Sequence, residues 1–408
     1  MKSYASFPPP RVNWFIFFLY LFAVIAVFIA SLALPKFRQI AYAPLREVII
    51  PPPAPIILPV LYSTEKEAWL TEAVQAFEKE DVRINGRPVK VELEKMGSRE
   101  IYLAILDGER QPGIISPASS LQINILQELS KARFGRSIVN PADQNNCRSV
   151  VTTPLVLVAW RERAELLWGN SPGQNLWMDF QSALLNPDGW GAFGHPEWGY
   201  LKFGHTDPLR SNSGFMTILL MAYSYHNRIS GLSTLDIVSD ENFRSLFSAL
   251  ERTIPEFEYS TGPLMEKMVA YGPSVYDIVA VYEATAIEQA ENARGRYGDL
   301  WIYYPPATIW SDHPFCILDA EWVADEQRLA GQSFIDFLLS KPMQESAMLK
   351  YGFRPLNPAV PLDQPGSPFS LYATNGLQGD LSGLPIVDVP PGDVLNALLE
   401  FWSRYGQR

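Results

Sequence analysis

The chain has 408 residues, of which 47% are hydrophobic and 19% are charged, and its formal net charge at pH 7 is -11. This length supports a large buried core and exceeds one simple lobe, so we expect two lobes. The negative charge would repel a phosphate backbone, and no Lys/Arg-rich stripe offsets it. Nucleic acid is therefore excluded as an expected partner.

The first feature along the chain is a stretch without any charged side chain, from Val12 to Leu34. At about 1.5 Å per residue it is long enough to cross ~30 Å of hydrocarbon. A cleaved signal peptide is the alternative, but the apolar part of a signal peptide usually spans only ~7–15 residues. We therefore expect a retained single-pass anchor at residues 12–34, with residues 1–11 in the cytoplasm.

A proline-rich segment follows the predicted anchor and reads IIPPPAPIILP from Ile49 to Pro59. Such a composition is typical of an extended spacer, so residues 35–56 are predicted to be a linker to a folded domain. Lysine and arginine residues flank the apolar stretch on both sides in nearly equal number. The positive-inside rule therefore does not determine on which side of the membrane the domain lies.

The folded domain is predicted to begin with a strand at Ile57–Leu61, followed by Ser63 and Thr64 at the start of a helix. A second strand is predicted at Val89–Leu93. Gly113–Ser116 is a third strand candidate, and Ser119 lies just before the helix that follows it. This alternation predicts an α/β fold with doubly wound sheets, in which ligands bind at the carboxyl ends of the strands.

Two longer apolar passages, Val150–Trp160 and Asp277–Val281, are predicted to be crossovers between the lobes. Residues 57–150 and 283–360 then build the first lobe, and residues 151–282 build the second. Residues 361–408 are predicted to be a surface tail with a closing helix at Val394–Trp402, which has one apolar face.

A polar loop in the predicted second lobe combines Ser211, Asn212 and Ser213 just before a helix at Phe215–Tyr225. Their side chains, together with the amides of the helix start, offer hydrogen bonds to an anion or a polar molecule. Plain helix capping is the alternative interpretation, because serine and asparagine are common at helix starts.

Cysteine and histidine residues are few, which limits the chemistry. Cys147 and Cys316 form either one disulfide or two thiols, and they exclude a cysteine-rich zinc site. No histidine motif has metal-ligand spacing, and no nucleophile elbow, P-loop or dinucleotide fingerprint is present. We therefore expect no metal, no cofactor and no enzymatic activity, and a hydrolase is the less favoured alternative.

Four segments, taken in order, resemble a known family. They are SPASS at Ser116–Ser120, TDPLRSNSGF at Thr206–Phe215, YGPSVYDIVAVYEA at Tyr271–Ala284 and YGFRPLNP at Tyr351–Pro358. Together they resemble bacterial extracellular solute-binding proteins of the sulfate/molybdate-like type II periplasmic class. The resemblance implies a two-lobed type II periplasmic-binding-protein fold that holds a small polar, possibly anionic, solute for an ABC-type transporter.

The resemblance also implies a location and a set of contacts. The main domain would lie outside the cytoplasm, anchored in the cell membrane, with a permease as partner. A ligand-sensing or protein-interaction module with a sensor partner is the alternative. The implied ligand contacts are Ser63 or Thr64, Ser116, Ser119, Ser211, Asn212, Ser213 and Tyr282. Two residues depart from a neutral oxyanion site and argue against sulfate or molybdate. Arg210 adds a charge to the loop, and Glu283 would repel an anion if it faced the cleft.

Overall fold

The computed structural model describes residues 14–33, 53–169 and 176–406. The chain divides into two compact units, the first ending at Ala54 and the second beginning at Pro55. In the first unit, helix α1 covers Trp14–Ala33. Within the described residues, no helix combines the length and hydropathy that a membrane span requires. Both ends of the predicted anchor, the predicted cytoplasmic segment 1–11 and most of the predicted linker lie outside the described residues.

The second unit alternates strands and helices. Its strands in the described residues are β1 Ile56–Tyr62, β2 Arg83–Ile84, β3 Arg87–Lys95, β4 Ile114–Ser116, β5 Cys147–Ser149, β6 Val151–Trp160, β7 Phe203–Gly204, β8 Ile278–Tyr282, β9 Leu300–Tyr303, β10 Trp310–Ser311, β11 Pro314–Ile317 and β12 Arg354–Pro355. Its helices there are α2 Glu67–Lys79, α3 Ser98–Leu106, α4 Ser120–Phe134, α5 Arg161–Trp168, α6 Leu176–Leu184, α7 Asn212–Tyr225, α8 Thr234–Val238, α9 Glu241–Glu251, α10 Thr261–Tyr271, α11 Glu283–Ala293, α12 Asp325–Leu338, α13 Lys341–Tyr351, α14 Pro368–Leu371 and α15 Gly392–Tyr405.

The first lobe is built on a mixed sheet with the strand order β2-β3-β1-β4-β11-β5. The central strand β1 is parallel to β3 and β4, and its residues Leu58 and Val60 are fully buried. Helix α2 lies against this sheet because Trp69, Ala73 and Phe77 form one apolar face at helical spacing. Parallel strands covered in this way carry apolar residues throughout, as the sequence of β1 does.

The second lobe is built around β6, which pairs antiparallel with β8, β9, β10 and β12, while β7 extends the sheet beyond β8. The chain enters this sheet at Val150, between β5 and β6. It returns to the first sheet at residues 312–313, between β10 and β11. These two passages lie side by side, since the Val150 amide donates to the His313 carbonyl over 3.3 Å, and a third leads from α13 into β12, which pairs with β6.

The return comes later in the chain than the passage Asp277–Val281 that the sequence predicted. Ile278–Tyr282 is strand β8 and pairs in register with Leu155–Ala159 of β6. Residues 283–311 consequently belong to the second lobe, because β9 and β10 also pair with β6. A short apolar run fits a buried central strand as well as it fits a crossover, so the pattern could not separate the two.

The cysteines join the edge of the first sheet. Cys147 in β5 and Cys316 in β11 are register partners, and the structure places them in a disulfide with Cα atoms 4.0 Å apart. Of the two alternatives that the sequence left open, the structure has the bonded one. The bond closes a segment of the chain that includes most of the second lobe.

Helix α15 near the end of the chain contacts both lobes. Its buried residues are Gly392, Val394, Leu395, Leu398, Leu399, Phe401 and Trp402. It packs on α4 of the first lobe and on α7, α8 and α9 of the second. The closing helix of the C-terminal segment therefore contributes buried residues to the core of the domain.

Candidate functional site

A cleft of about 270 Å³ lies where the two lobes face each other. Its walls are the segment after β1, the segment from the end of β3 into α3, the starts of α7 and α10, and the end of β8. The lining residues are Ser63, Thr64, Glu65, Lys95, Met96, Gly97, Ser98, Glu100, Arg210, Ser211, Asn212, Tyr259, Ser260, Thr261 and Tyr282. The cleft therefore collects strand ends and helix starts from both lobes.

Three helices begin at this cleft, α3 after Gly97, α7 after Ser211 and α10 after Ser260. Neither Ser211 nor Ser260 caps its own helix with its hydroxyl. A Cβ atom on Gly97 would lie 3.1 Å from the Arg210 carbonyl oxygen, so glycine lets the lobes approach here. The Gly97 amide at the start of α3 already donates to the Glu100 carboxylate over 3.0 Å. The starts of α7 and α10 have no hydroxyl cap of their own, so their N–H groups and positive potential suit an acceptor-rich ligand.

The structure brings five of the sequence-predicted contacts to the cleft wall: Ser63, Thr64, Ser211, Asn212 and Tyr282. They come from both lobes and from parts of the chain far apart in sequence. Thr64 Oγ1 lies 3.2 Å from Ser260 Oγ, and this contact joins the lobes across the cleft.

Ser116, Ser119 and Ser213 are not among the lining residues, because all three are buried behind the wall. Ser119 Oγ donates to Asn212 Oδ1 over 3.0 Å. Ser213 Oγ lies 2.7 Å from Thr261 Oγ1. Ser116 Oγ has no hydrogen-bond partner among the residues that the structure describes. These three hydroxyls support the wall and do not form its surface.

Asn212 is the centre of a hydrogen-bonded clasp between the lobes. Its Oδ1 accepts from Ser119 Oγ and, over 2.9 Å, from Gln122 Nε2, both in the first lobe. Its Nδ2 donates to Tyr282 OH over 3.1 Å within the second lobe. Because the bonds to Ser119 and Gln122 exist only when the lobes are together, the structure represents a closed arrangement. The sequence identified Asn212 as a ligand contact and did not reveal this second use.

The first-lobe wall carries an ionised carboxylate that the sequence reasoning missed. Glu65 Oε1 accepts from Ser63 Oγ over 2.5 Å and lies 3.3 Å from both Lys66 Nζ and His313 Nδ1. Burial alone would raise the pKa of Glu65, but Lys66 and His313 outweigh this effect and hold that pKa well below its ordinary value. The available signal was its position directly after the predicted Ser63 and Thr64 contacts.

The second-lobe wall carries Arg210, whose side chain is exposed. Its guanidinium carbon lies 5.6 Å from the centroid of the Tyr259 ring. Within the described residues it has no carboxylate partner, whereas Lys95 is paired with Glu67 over 2.7 Å. Arg210 is thus a cation of the cleft that remains free to bind a negative group.

Glu283, which the sequence placed as a potential repulsive charge, does not line the cleft. It is buried and receives two hydrogen bonds of 2.7 Å from Arg354, from Nε to Oε1 and from Nη2 to Oε2. Tyr304 also donates to this carboxylate. The charge is therefore compensated inside the second lobe and does not act on the ligand.

The described residues contain no group of three or more His, Cys, Asp and Glu side chains that could hold a metal ion. His205, beside the polar loop, is fully buried and lies 3.0 Å from Glu251 through Nε2. Trp402 of α15 donates to the other oxygen of Glu251 over 2.7 Å. His205 thus belongs to a buried contact between α9 and α15 and not to the cleft.

Residues 58–354 match the protein-family model described as bacterial extracellular solute-binding protein. The match covers more than half of the chain. A search of curated proteins gives no match.

Solved structures share the two-lobed arrangement. The periplasmic binding protein AfuA from Actinobacillus pleuropneumoniae, with fructose-6-phosphate bound, aligns with a TM-score of 0.56 at 16% identity, covering 86% of this chain and 98% of that chain. The sulfate-binding protein SubI from Mycobacterium tuberculosis H37Rv aligns with a TM-score of 0.51 at 16% identity, covering 85% and 96%. The substrate-binding protein of an ABC transporter from Agrobacterium tumefaciens aligns with a TM-score of 0.56 at 17% identity, covering 88% and 96%. At these identities the similarity is one of fold.

Proposed function

Because the chain belongs to the bacterial extracellular solute-binding protein family, we propose that its interlobe cleft captures a small polar, anionic solute for an ABC-type transporter. The observation that carries this proposal is the convergence of the starts of α7 and α10 with Arg210, which has no carboxylate partner among the described residues, on one cleft. Helix-start amides and a guanidinium are donors without acceptor capacity, so they favour a ligand rich in acceptors.

The binding cycle follows from the clasp. In the open state, Asn212, Ser119 and Gln122 bind water, and the cleft admits a solute. Closure replaces that water with the interlobe hydrogen bonds and brings Thr64 against Ser260. The solute then adds contacts from both lobes, so its binding energy favours the closed state. No covalent chemistry is part of this proposal, and the protein acts as a binding protein without catalysis.

The proposed contacts fall into two groups. Ser63, Thr64, Ser211 and Tyr282 line the cleft and would contact the solute directly. The remaining predicted residues, Ser116, Ser119, Asn212 and Ser213, would hold the wall and the clasp in position. This division differs from the equal roles that the sequence predicted. Ser116, Ser119 and Ser213 do not line the cleft, and Asn212, which does, is already bonded to Ser119, Gln122 and Tyr282.

Co-purification tests the proposal. The full-length protein, purified in mild detergent, should release a small anionic solute on denaturation, detected by mass spectrometry. Thr64→Trp places a large side chain in the cleft and should remove this solute. Thr71→Trp, on the exposed face of α2, is the matched control and should retain it. A wild-type protein that carries no solute after native purification would refute the proposal and favour the interaction-module alternative.

We also propose that α1 anchors the domain on the outer side of the cell membrane. Supporting this is the sequence of α1, which has no charged residue, and the exposure of its aromatic side chains, among them Phe15 at 75% and Phe22 at 72%. The domain should be digested by protease added to intact spheroplasts. Protection until lysis would contradict the location, and loss of residues 1–34 from the mature protein would establish a cleaved signal in place of the anchor.

A further inference from the structure

The first-lobe wall of the cleft carries a carboxylate, Glu65, and the second-lobe wall carries a guanidinium, Arg210. Each can form a further hydrogen bond. On the first lobe, the recorded hydrogen bond and ion-pair contacts of Glu65 all go to Oε1, from Ser63, Lys66 and His313. Within the described residues, its other oxygen, Oε2, has no hydrogen-bond partner. The Glu65 side chain keeps 12% of its surface exposed and lines the cleft. The cleft wall therefore includes a carboxylate whose second oxygen can accept a hydrogen bond.

On the second lobe, Arg210 offers a guanidinium without a carboxylate partner in the described residues. Tyr259 lies beside it, with 53% of its surface exposed, and limits the positions of the guanidinium through their 5.6 Å contact. The positive group and the negative group belong to different lobes. A solute that fills the cleft meets both of them on closure.

We infer that the solute combines an anionic group, bound by Arg210, with a hydroxyl or ammonium donor that binds Glu65. This inference rests on the proposed function and narrows its solute class. A bare oxyanion such as sulfate has acceptors only, so in the closed cleft it would offer Glu65 no donor. The cleft volume of about 270 Å³ is also many times the ~10–15 Å³ that a cavity needs to hold one water molecule. A multi-atom solute with groups at both ends fits this space and both charges.

Calorimetry on the solute-free, full-length protein tests the inference with four probes. Inorganic sulfate and inorganic phosphate lack an alcohol or ammonium donor, separate from the anionic group, that could bind Glu65. Glycerol 3-phosphate supplies hydroxyl donors, and glutamate supplies an ammonium donor. At least one of these two organic probes should bind tenfold or more tightly than both inorganic ions. The stronger of the two then identifies the donor as hydroxyl or ammonium.

Substitutions assign the contacts. Arg210→Gln should weaken the organic probe at least ~10-fold, the scale of a lost charged hydrogen bond. Arg244→Gln is the matched control, since its guanidinium carbon also lies 5.6 Å from a tyrosine ring centroid, that of Tyr405, but outside the cleft. It should leave binding unchanged. Glu65→Gln should reduce the preference for the organic probe, and if this variant does not fold, the wild-type preference decides.

Tighter binding of sulfate or phosphate than of both organic probes would overturn the inference and leave solute binding itself intact. An unchanged affinity in Arg210→Gln would overturn it as well. If no probe binds, the assigned solute class is wrong, whereas the proposed function is judged separately by the co-purified solute.

Discussion

Replacing Asn212 with alanine removes a side chain of the cleft wall that joins the two lobes. Two hydrogen bonds cross from the first lobe to its Oδ1, from Ser119 at 3.0 Å and from Gln122 at 2.9 Å. Each contributes about 1 kcal/mol net, so the closed state loses about 2 kcal/mol. In the open state the same groups bind water and lose nothing. Since about 1.4 kcal/mol is a factor of ten, the closed-to-open ratio should fall roughly 30-fold.

Distance measurements between two spin labels test this prediction without any ligand. Labels at exposed Thr71 in the first lobe and Glu266 in the second report the closed fraction, because the native cysteines are joined and do not react. Asn375→Ala is the matched control, since the Asn375 side chain donates to the Leu300 carbonyl within the second lobe. It should lower stability without changing the closed fraction.

A double-mutant cycle separates the clasp from general loss of stability. If Asn212 and Ser119 act through their mutual bond, Asn212→Ala and Ser119→Ala together should cost less than the sum of the single changes. A closed fraction that is equal in the wild type and in Asn212→Ala would refute the clasp. Additive single effects would show that the two residues act independently.

Three further predictions concern stability. Thiol labelling of denatured, unreduced protein should modify neither Cys147 nor Cys316, and two labelled thiols would contradict the disulfide. Replacing both cysteines with serine should lower the free energy of unfolding by up to about 5 kcal/mol, because the disulfide spans 169 residues. Arg354→Met should cost about 3–5 kcal/mol in urea unfolding by leaving Glu283 buried and unpaired, and adding Glu283→Leu should recover most of that loss. Burial disfavours protonation of His205, but its carboxylate partner Glu251 outweighs this effect and raises the His205 pKa. The stabilisation of the folded protein by protonated His205 is therefore complete below about pH 6.5 and is lost as pH rises through the folded-state pKa. His205→Asn should flatten this pH dependence of the free energy of unfolding.

Local patterns were sufficient for much of this fold. The apolar run before Ser63 and Thr64 predicted strand β1 and the helix that follows, because strand burial and helix starts depend on neighbouring residues. The same reasoning placed Ser211 and Asn212 at the start of α7. The order of the resembling segments predicted the family, to which residues 58–354 belong.

The sequence could not show which side chains meet across the chain. Ser119 and Asn212 are 93 residues apart, and Glu283 and Arg354 are 71 residues apart, yet each pair is hydrogen-bonded. Helix and strand periodicity contain no information about such pairs, because the distance between them is set by how the lobes pack. The sequence identified Asn212 as a ligand contact and Glu283 as a charge that would repel an anion if it faced the cleft. Tertiary packing makes Asn212 a clasp and Glu283 a compensated core charge.

The same limit explains the misplaced crossover. Ile278–Tyr282 is fully buried in β8, and its apolar sequence is what both a central strand and a passage between lobes require. Its pairing with β6 decided the outcome, and that pairing is made with a strand more than a hundred residues earlier in the chain. The sequence alone determined the α/β class and several strand and helix starts, among them those that bring Ser63, Thr64, Ser211 and Asn212 to the cleft. Only the tertiary structure decided which of these residues face the solute, since burial depends on contacts between distant segments.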